Sequence, residues 1–143
     1  MNVDVIESLV VASHRLTQLA AQATGDRTPA AVWRTLSVLQ HEGPLRVGTL
    51  AALSRVTQPG ITRLVGTMHD DGYVERISDA TDSRASVISV TRVGVAALEE
   101  WRHTIARTME PAFGSLDEQD WAALSRAAEI LATRTASATA VAS

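Results

Sequence analysis

The 143-residue chain contains no cysteine. No disulfide framework can staple it, and no thiolate can serve as metal ligand, nucleophile or peroxide sensor. Lysine is missing too, so all 13 basic residues are arginines. Aromatic side chains make up only 3% of the chain, and its 45% hydrophobic content must therefore build a core mainly from Leu, Val, Ile and Ala. No apolar run reaches the roughly 18 residues of a membrane span, and no charged, apolar, small-residue leader opens the chain. A cytoplasmic protein without membrane contact is the expectation.

Catalytic signatures are absent as well. The chain has no G-x-S-x-G, no Walker loop and no H-E-x-x-H. Asp70-Asp71 reads as the solvated end of a helix rather than an acid/base pair. His41-Glu42 and His103 are the nearest approach to a metal set, and they lack cysteine or paired-histidine spacing. Neither catalysis nor a metal or other cofactor is expected. The net charge of -3 favours no partner, because phosphate contact needs a local basic face and not a basic total.

The length suits a single domain over 1–143, one core with helical extensions. Val3, Ile6, Leu9, Val10, Leu16 and Leu19 repeat with helical period over 3–24, and Gly25 supplies a left-handed stop. Thr28-Pro29 opens a second helix carrying Val32, Trp33, Leu36 and Leu39, closed by Gly43-Pro44. A short helix over 49–55 follows, then a tight turn at Val56. Thr57 caps the next helix, which turns Ile61, Leu64, Val65 and Met68 inward. That spacing is helix-turn-helix.

Two β-rich runs, 73–77 and 85–90, flank a polar loop and predict a hairpin. Thr91 caps a long helix expected over 92–113, and Asp117 caps a last one. The Ala/Ser/Thr/Val tail, 136–143, is expected to fray.

The helix opened by Thr57-Gln58-Pro59-Gly60-Ile61-Thr62-Arg63 has the parts of a groove reader. Gln58 can pair with an adenine edge and Arg63 with a guanine or a phosphate. Thr57 and Thr62 suit phosphates or a thymine methyl. Pro59 starts the helix, and Gly60 lets its backbone approach the bases. Arg55, just before the turn, adds a cation. Twenty residues on, Asp82-Ser83-Arg84 sits in the hairpin loop. Arg84 is fit for the electronegative minor groove, and Asp82 can hold its guanidinium or the hairpin stem. Each feature alone is ordinary; their order is not.

With Leu50-Ala51, Gly72-Tyr73-Val74-Glu75-Arg76 and Val90-Thr91-Arg92-Val93-Gly94, these motifs resemble the multiple antibiotic resistance regulator (MarR) family over roughly residues 3–135. The resemblance implies a mainly α fold with a small β-hairpin: a winged helix-turn-helix over 28–92, flanked by dimerisation helices at 1–27 and 93–135. It implies a homodimeric transcriptional regulator, usually a repressor, on a pseudo-palindromic double-stranded DNA operator, often released by a small aromatic or phenolic effector. Two departures stand out. Gly48-Thr49 replaces a strong helix former, so that helix is expected to begin late. Asp79-Ala80-Thr81 makes the wing less basic than is usual in the family.

The terminal helices carry more apolar surface than the small lobe can cover. In the family-like arrangement Val3, Ile6, Leu9 and Val10 pack on the last two helices of both subunits. His14, Arg15, Trp33, Trp101 and His103 are the candidates for an effector pocket, aromatics and cations suiting a phenolate or carboxylate. The rival reading is a winged-helix module that binds protein and never meets DNA.

Overall fold

The computed structural model describes the backbone of residues 2–141 and the side chains of residues 2–136. The chain divides into two compact units, Met1–Thr108 and Met109–Ser143. The first begins with α1, Val3–Thr24, which ends where Gly25 takes φ 62°, the left-handed stop expected from its sequence. Of its 22 residues only Ala20 is buried.

Helix α2, Ala30–Glu42, starts after Pro29 and ends at Gly43, whose φ of 81° no bulky residue adopts readily. Helix α3, Val47–Ser54, begins earlier than Gly48-Thr49 suggested. Burial outweighs propensity here: Leu50 and Ala51 are packed in the core, and the Leu50 amide donates to the Arg46 carbonyl at 2.9 Å. Arg55 then turns the chain in the left-handed conformation, φ 57°, and Thr57 caps α4, Gln58–Asp70, by accepting the Gly60 N–H at 3.2 Å.

Strands β1, Val74–Ser78, and β2, Ser86–Val90, pair antiparallel with Arg76 opposite Ile88. Leu45, just before α3, adds a bridge. It exchanges two backbone hydrogen bonds with Ile88, at 3.1 and 2.7 Å, and so ties the base of the hairpin to the segment before α3. Thr91 joins the hairpin to α5, Arg92–Met109. Its hydroxyl donates to the Gly72 carbonyl at 2.6 Å and accepts the Gly94 amide at 3.1 Å. Helix α5 stops four residues short of the expected end because Pro111 cannot donate to the ladder, and Glu110–Phe113 tightens into a 3-10 turn.

One core closes this winged helix-turn-helix. Leu36 and Leu39 of α2, Leu50 of α3, Ile61, Val65 and Met68 of α4, Val74 and Ile88 of the hairpin and Leu98 of α5 are all buried in it. At roughly 1.5–3 kcal/mol per fully buried large apolar side chain, this cluster is the main source of the lobe's stability.

The second unit holds the 3-10 turn and α6, Glu118–Val141. Asp117 caps α6 as expected, accepting the Asp120 amide at 2.8 Å. Phe113 and Trp121 lie with ring centroids 6.2 Å apart. The tail expected to fray is helical as far as Val141, while Ala142 and Ser143 lie outside the described residues. Among the described residues no helix is long and apolar enough to cross a membrane.

Candidate nucleic-acid interface and ligand cavity

The apolar stripe of α4 anchors that helix and thereby decides which of its side chains face solvent. With Ile61, Val65 and Met68 buried, Gln58, Pro59, Thr62 and Arg63 are exposed on the opposite side of its first turns. Thr57 and Arg55, on the turn, are exposed as well. Thr62 sends its hydroxyl back to the Gln58 carbonyl at 3.0 Å, leaving the oxygen's lone pairs toward solvent. Arg55, Arg63 and Arg84 enter no ion pair among the described residues, so these cations are available to a phosphate or a base edge.

Gly60 has a local role that the sequence did not reveal. A Cβ there would stand 2.9 Å from Thr57 Oγ1 and 3.0 Å from Val56 Cγ1. The absent side chain leaves room for the cap that starts the helix.

The wing is built from two carboxylates that each fold back on the backbone. Asp82 Oδ1 accepts the Arg84 amide at 3.0 Å, so it shapes the tip that presents Arg84 and does not grip the guanidinium. Asp79 Oδ1 accepts both the amide and the hydroxyl of Thr81, at 3.0 and 2.9 Å. Its other oxygen receives Arg46 Nε at 2.7 Å. The Thr81 amide first, then the Arg46 bond, lower the Asp79 pKa to about 2. The acid that made the wing look weakly basic is thus neutralised by an arginine at the threshold of α3. The sequence does not announce this pairing, because 33 residues separate Arg46 from Asp79 and no local pattern encodes it.

The effector candidates divide into two sets. Trp33 and Trp101 stack, with centroids 5.2 Å and planes 15° apart, and wall a cavity of about 360 Å³ reached by Thr24, Asp26, Arg34 and Ser37. An adjoining cavity of about 320 Å³ shares both tryptophans and adds Tyr73 and Glu100. His14 and Arg15 are exposed on α1 and do not line either space; Arg15 borders a surface groove with Asp4 and Glu7. His103 is exposed on α5 and lines neither.

Asp26 was missed by sequence reading. It accepts the Thr28 amide at 2.9 Å and the Trp33 indole N–H at 3.2 Å. The Thr28 bond chiefly, offset in part by desolvation, holds its pKa below the ordinary carboxylate value. Among the described residues no group of three His, Asp or Glu side chains is placed to hold a metal ion.

Comparison with known proteins agrees with this geometry. The MarR family model matches residues 26–85, the winged helix without its last strand. An HTH-type transcriptional regulator of Mycobacterium bovis is 27% identical over 96 residues, 67% of each chain. The HTH-type transcriptional repressor IacR of Pseudomonas putida is 24% identical over 99 residues, 69% of this chain and 59% of the repressor. In fold, a MarR family protein from Bacillus stearothermophilus aligns with a TM-score of 0.68 at 21% identity, covering 94% of this chain and 98% of the other.

Proposed function

We propose that this chain, whose residues 26–85 match the MarR family model, is a transcriptional regulator of that family and acts as a homodimeric repressor of a pseudo-palindromic operator, released by a small aromatic ligand. One observation carries the DNA reading. The first turns of α4 offer Gln58, Thr62 and Arg63 to solvent on a helix whose other face is locked into the core, with Arg84 held out on an ordered wing. A helix anchored this way enters the major groove with its N-terminal turns while the wing reaches the neighbouring minor groove.

The exposed apolar residues of α1 support the dimer: Val3, Ile6 and Val10 each keep more than half of their surface in contact with water. Two copies related by a twofold would set their recognition helices about one DNA turn, roughly 34 Å, apart. A repressor role is the role borne by the name of the Pseudomonas putida relative. The cavity walled by Trp33 and Trp101 is the proposed effector site, apolar on its walls with a few polar groups at its edge.

A gel-shift titration against the DNA upstream of the chain's own gene tests the reading. Sequence-selective binding that weakens steeply with salt is expected. Gln58→Ala and Arg63→Ala should each cost roughly 1–3 kcal/mol of selective affinity, and normal binding by the double variant would remove α4 from the groove. The net negative charge keeps one competitor in view, a protein-binding module. Absence of any DNA binding at low salt would favour it.

A further inference from the structure

The cavity proposed as the effector site carries a charge pattern that discriminates among aromatic ligands. Trp33, Trp101 and Tyr73 form one continuous wall, with the Tyr73 ring 6.5 Å from Trp33 and the two indoles stacked. Beside Tyr73 the lining includes two carboxylates, Asp26 and Glu100, and no basic side chain among the described residues. Where the space extends toward α1, Arg34 is the one basic residue lining it. Its Nε is already committed to the Ser54 carbonyl at 2.6 Å.

The arginines nearby on α5 are engaged elsewhere. Arg102 donates to Gln40 Oε1 at 3.0 Å and Ser37 Oγ at 3.3 Å on α2. Arg107 meets Glu100 at 3.2 Å and offsets part of that carboxylate's field, which leaves Asp26, outside any ion pair among the described residues, as the stronger of the two. Asp26 holds its charge at the edge of Trp33 through the indole bond. A carboxylate oxygen accepts more than one hydrogen bond, so Asp26 keeps capacity for a further donor.

Ring faces attract cations through their quadrupole, and the two carboxylates act in the same direction. Of the side chains that would favour an anion, His14, Arg15 and His103 lie outside the space, and Arg34 alone lines it. We infer that this cavity takes an organic cation, a quaternary or protonated amine on a flat apolar body, and discriminates against carboxylates and phenolates of the same shape. The inference rests on reading this cavity as a ligand site and narrows the class of ligand.

Isothermal titration of the full chain with benzyltrimethylammonium, benzyl alcohol and benzoate tests it. The cation should bind at least about tenfold more tightly than the alcohol, with benzoate weakest. The variant carrying Asp26→Asn and Glu100→Gln, both exposed positions, should lose that preference and keep the alcohol's affinity. Its circular dichroism should match the parent's. Benzoate binding as tightly as the cation, no saturable binding of any probe, or an unchanged preference in the double variant would each overturn the assignment. A gel shift run with each probe separates the two readings. A bound cation that leaves DNA retained sinks the effector role and keeps the ligand class. Benzoate that both binds and releases DNA sinks the ligand class and keeps the effector role.

Discussion

Helices α1 and α4 both carry a regular apolar stripe, and they dispose of it in opposite ways. In α4, Ile61, Val65 and Met68 are fully buried, while in α1, Val3, Ile6 and Val10 are 61–65% exposed. The α4 stripe is closed by the chain's own α2, α3 and hairpin. Of the α1 stripe, Val3, Ile6 and Val10 stay open to solvent among the described residues. Periodicity reports that a helix has a face to bury; it does not say which molecule buries it. The winged lobe is therefore self-sufficient in its core, whereas the open face of α1 is the one that the proposed homodimer would cover.

Breaking the partner side of this contrast should have the largest effect. Ile6→Asp with Leu9→Asp removes apolar area from α1 and leaves the lobe's core untouched. Light scattering should give the mass of a single chain, and DNA affinity should fall by two orders of magnitude or more, because one recognition helix then binds alone. A dimer mass retained by this variant would refute α1 as the interface.

Striking the self-sufficient side should spare the assembly and damage the lobe. Gly94 sits where α5 passes over the base of the hairpin, and a Cβ there would come within 2.2 Å of the Tyr73 carbonyl oxygen and 2.9 Å of Val90 Cγ2. Backbone cannot retreat as a side-chain tip can, so Gly94→Ala should destabilise the chain by roughly 1–3 kcal/mol or more. Urea unfolding would measure it. An unaltered midpoint would mean that α5 and the hairpin are further apart than described.

This contrast also marks what could be read from the residues. The elements were legible because each carries its own punctuation: Gly25 and Gly43 as stops, Thr57, Thr91 and Asp117 as caps, and β-rich composition in both strands. The exposure of Gln58 and Arg63 followed from the stripe opposite them. The features missed are those made by contact between distant segments. Arg46 meets Asp79 across 33 residues, Leu45 bridges Ile88, and Asp26 reaches Trp33 only because Gly25 turns the chain. The helix start at Val47 was misjudged for a related reason: the burial of Leu50 and Ala51 overrides the weak propensity of Gly48.

A subtler test sets stability against DNA binding within the lobe. Arg55 is the one non-glycine residue with positive φ among those described. Left-handed backbone costs an L-residue roughly 1 kcal/mol, which glycine does not incur. Arg55→Gly should therefore raise the unfolding free energy by up to about 1 kcal/mol. The same change should weaken DNA binding and lower the salt slope by about 1 if the guanidinium neutralises a phosphate. Stability rising with DNA affinity unchanged would leave the left-handed arginine without a binding role and strike Arg55 from the interface.

The smallest effect concerns the clamp between the wing and the threshold of α3. Asp79 titrates at about 2, held there first by the Thr81 amide and then by Arg46. A free carboxylate of this type titrates near 3.9. Because the folded value is the lower one, the associated stabilisation is complete above about pH 4 and is lost as the pH falls toward 2. In Arg46→Ala, carbon-detected NMR of the side-chain carboxyl should show Asp79 titrating higher than in the parent. It should still titrate below the ordinary value, since the amide bond survives. If Asp79 already titrates like a free carboxylate in the parent chain, the wing is not clamped to the threshold of α3. Its orientation would then be set by the Leu45–Ile88 bridge and the strand pairing alone.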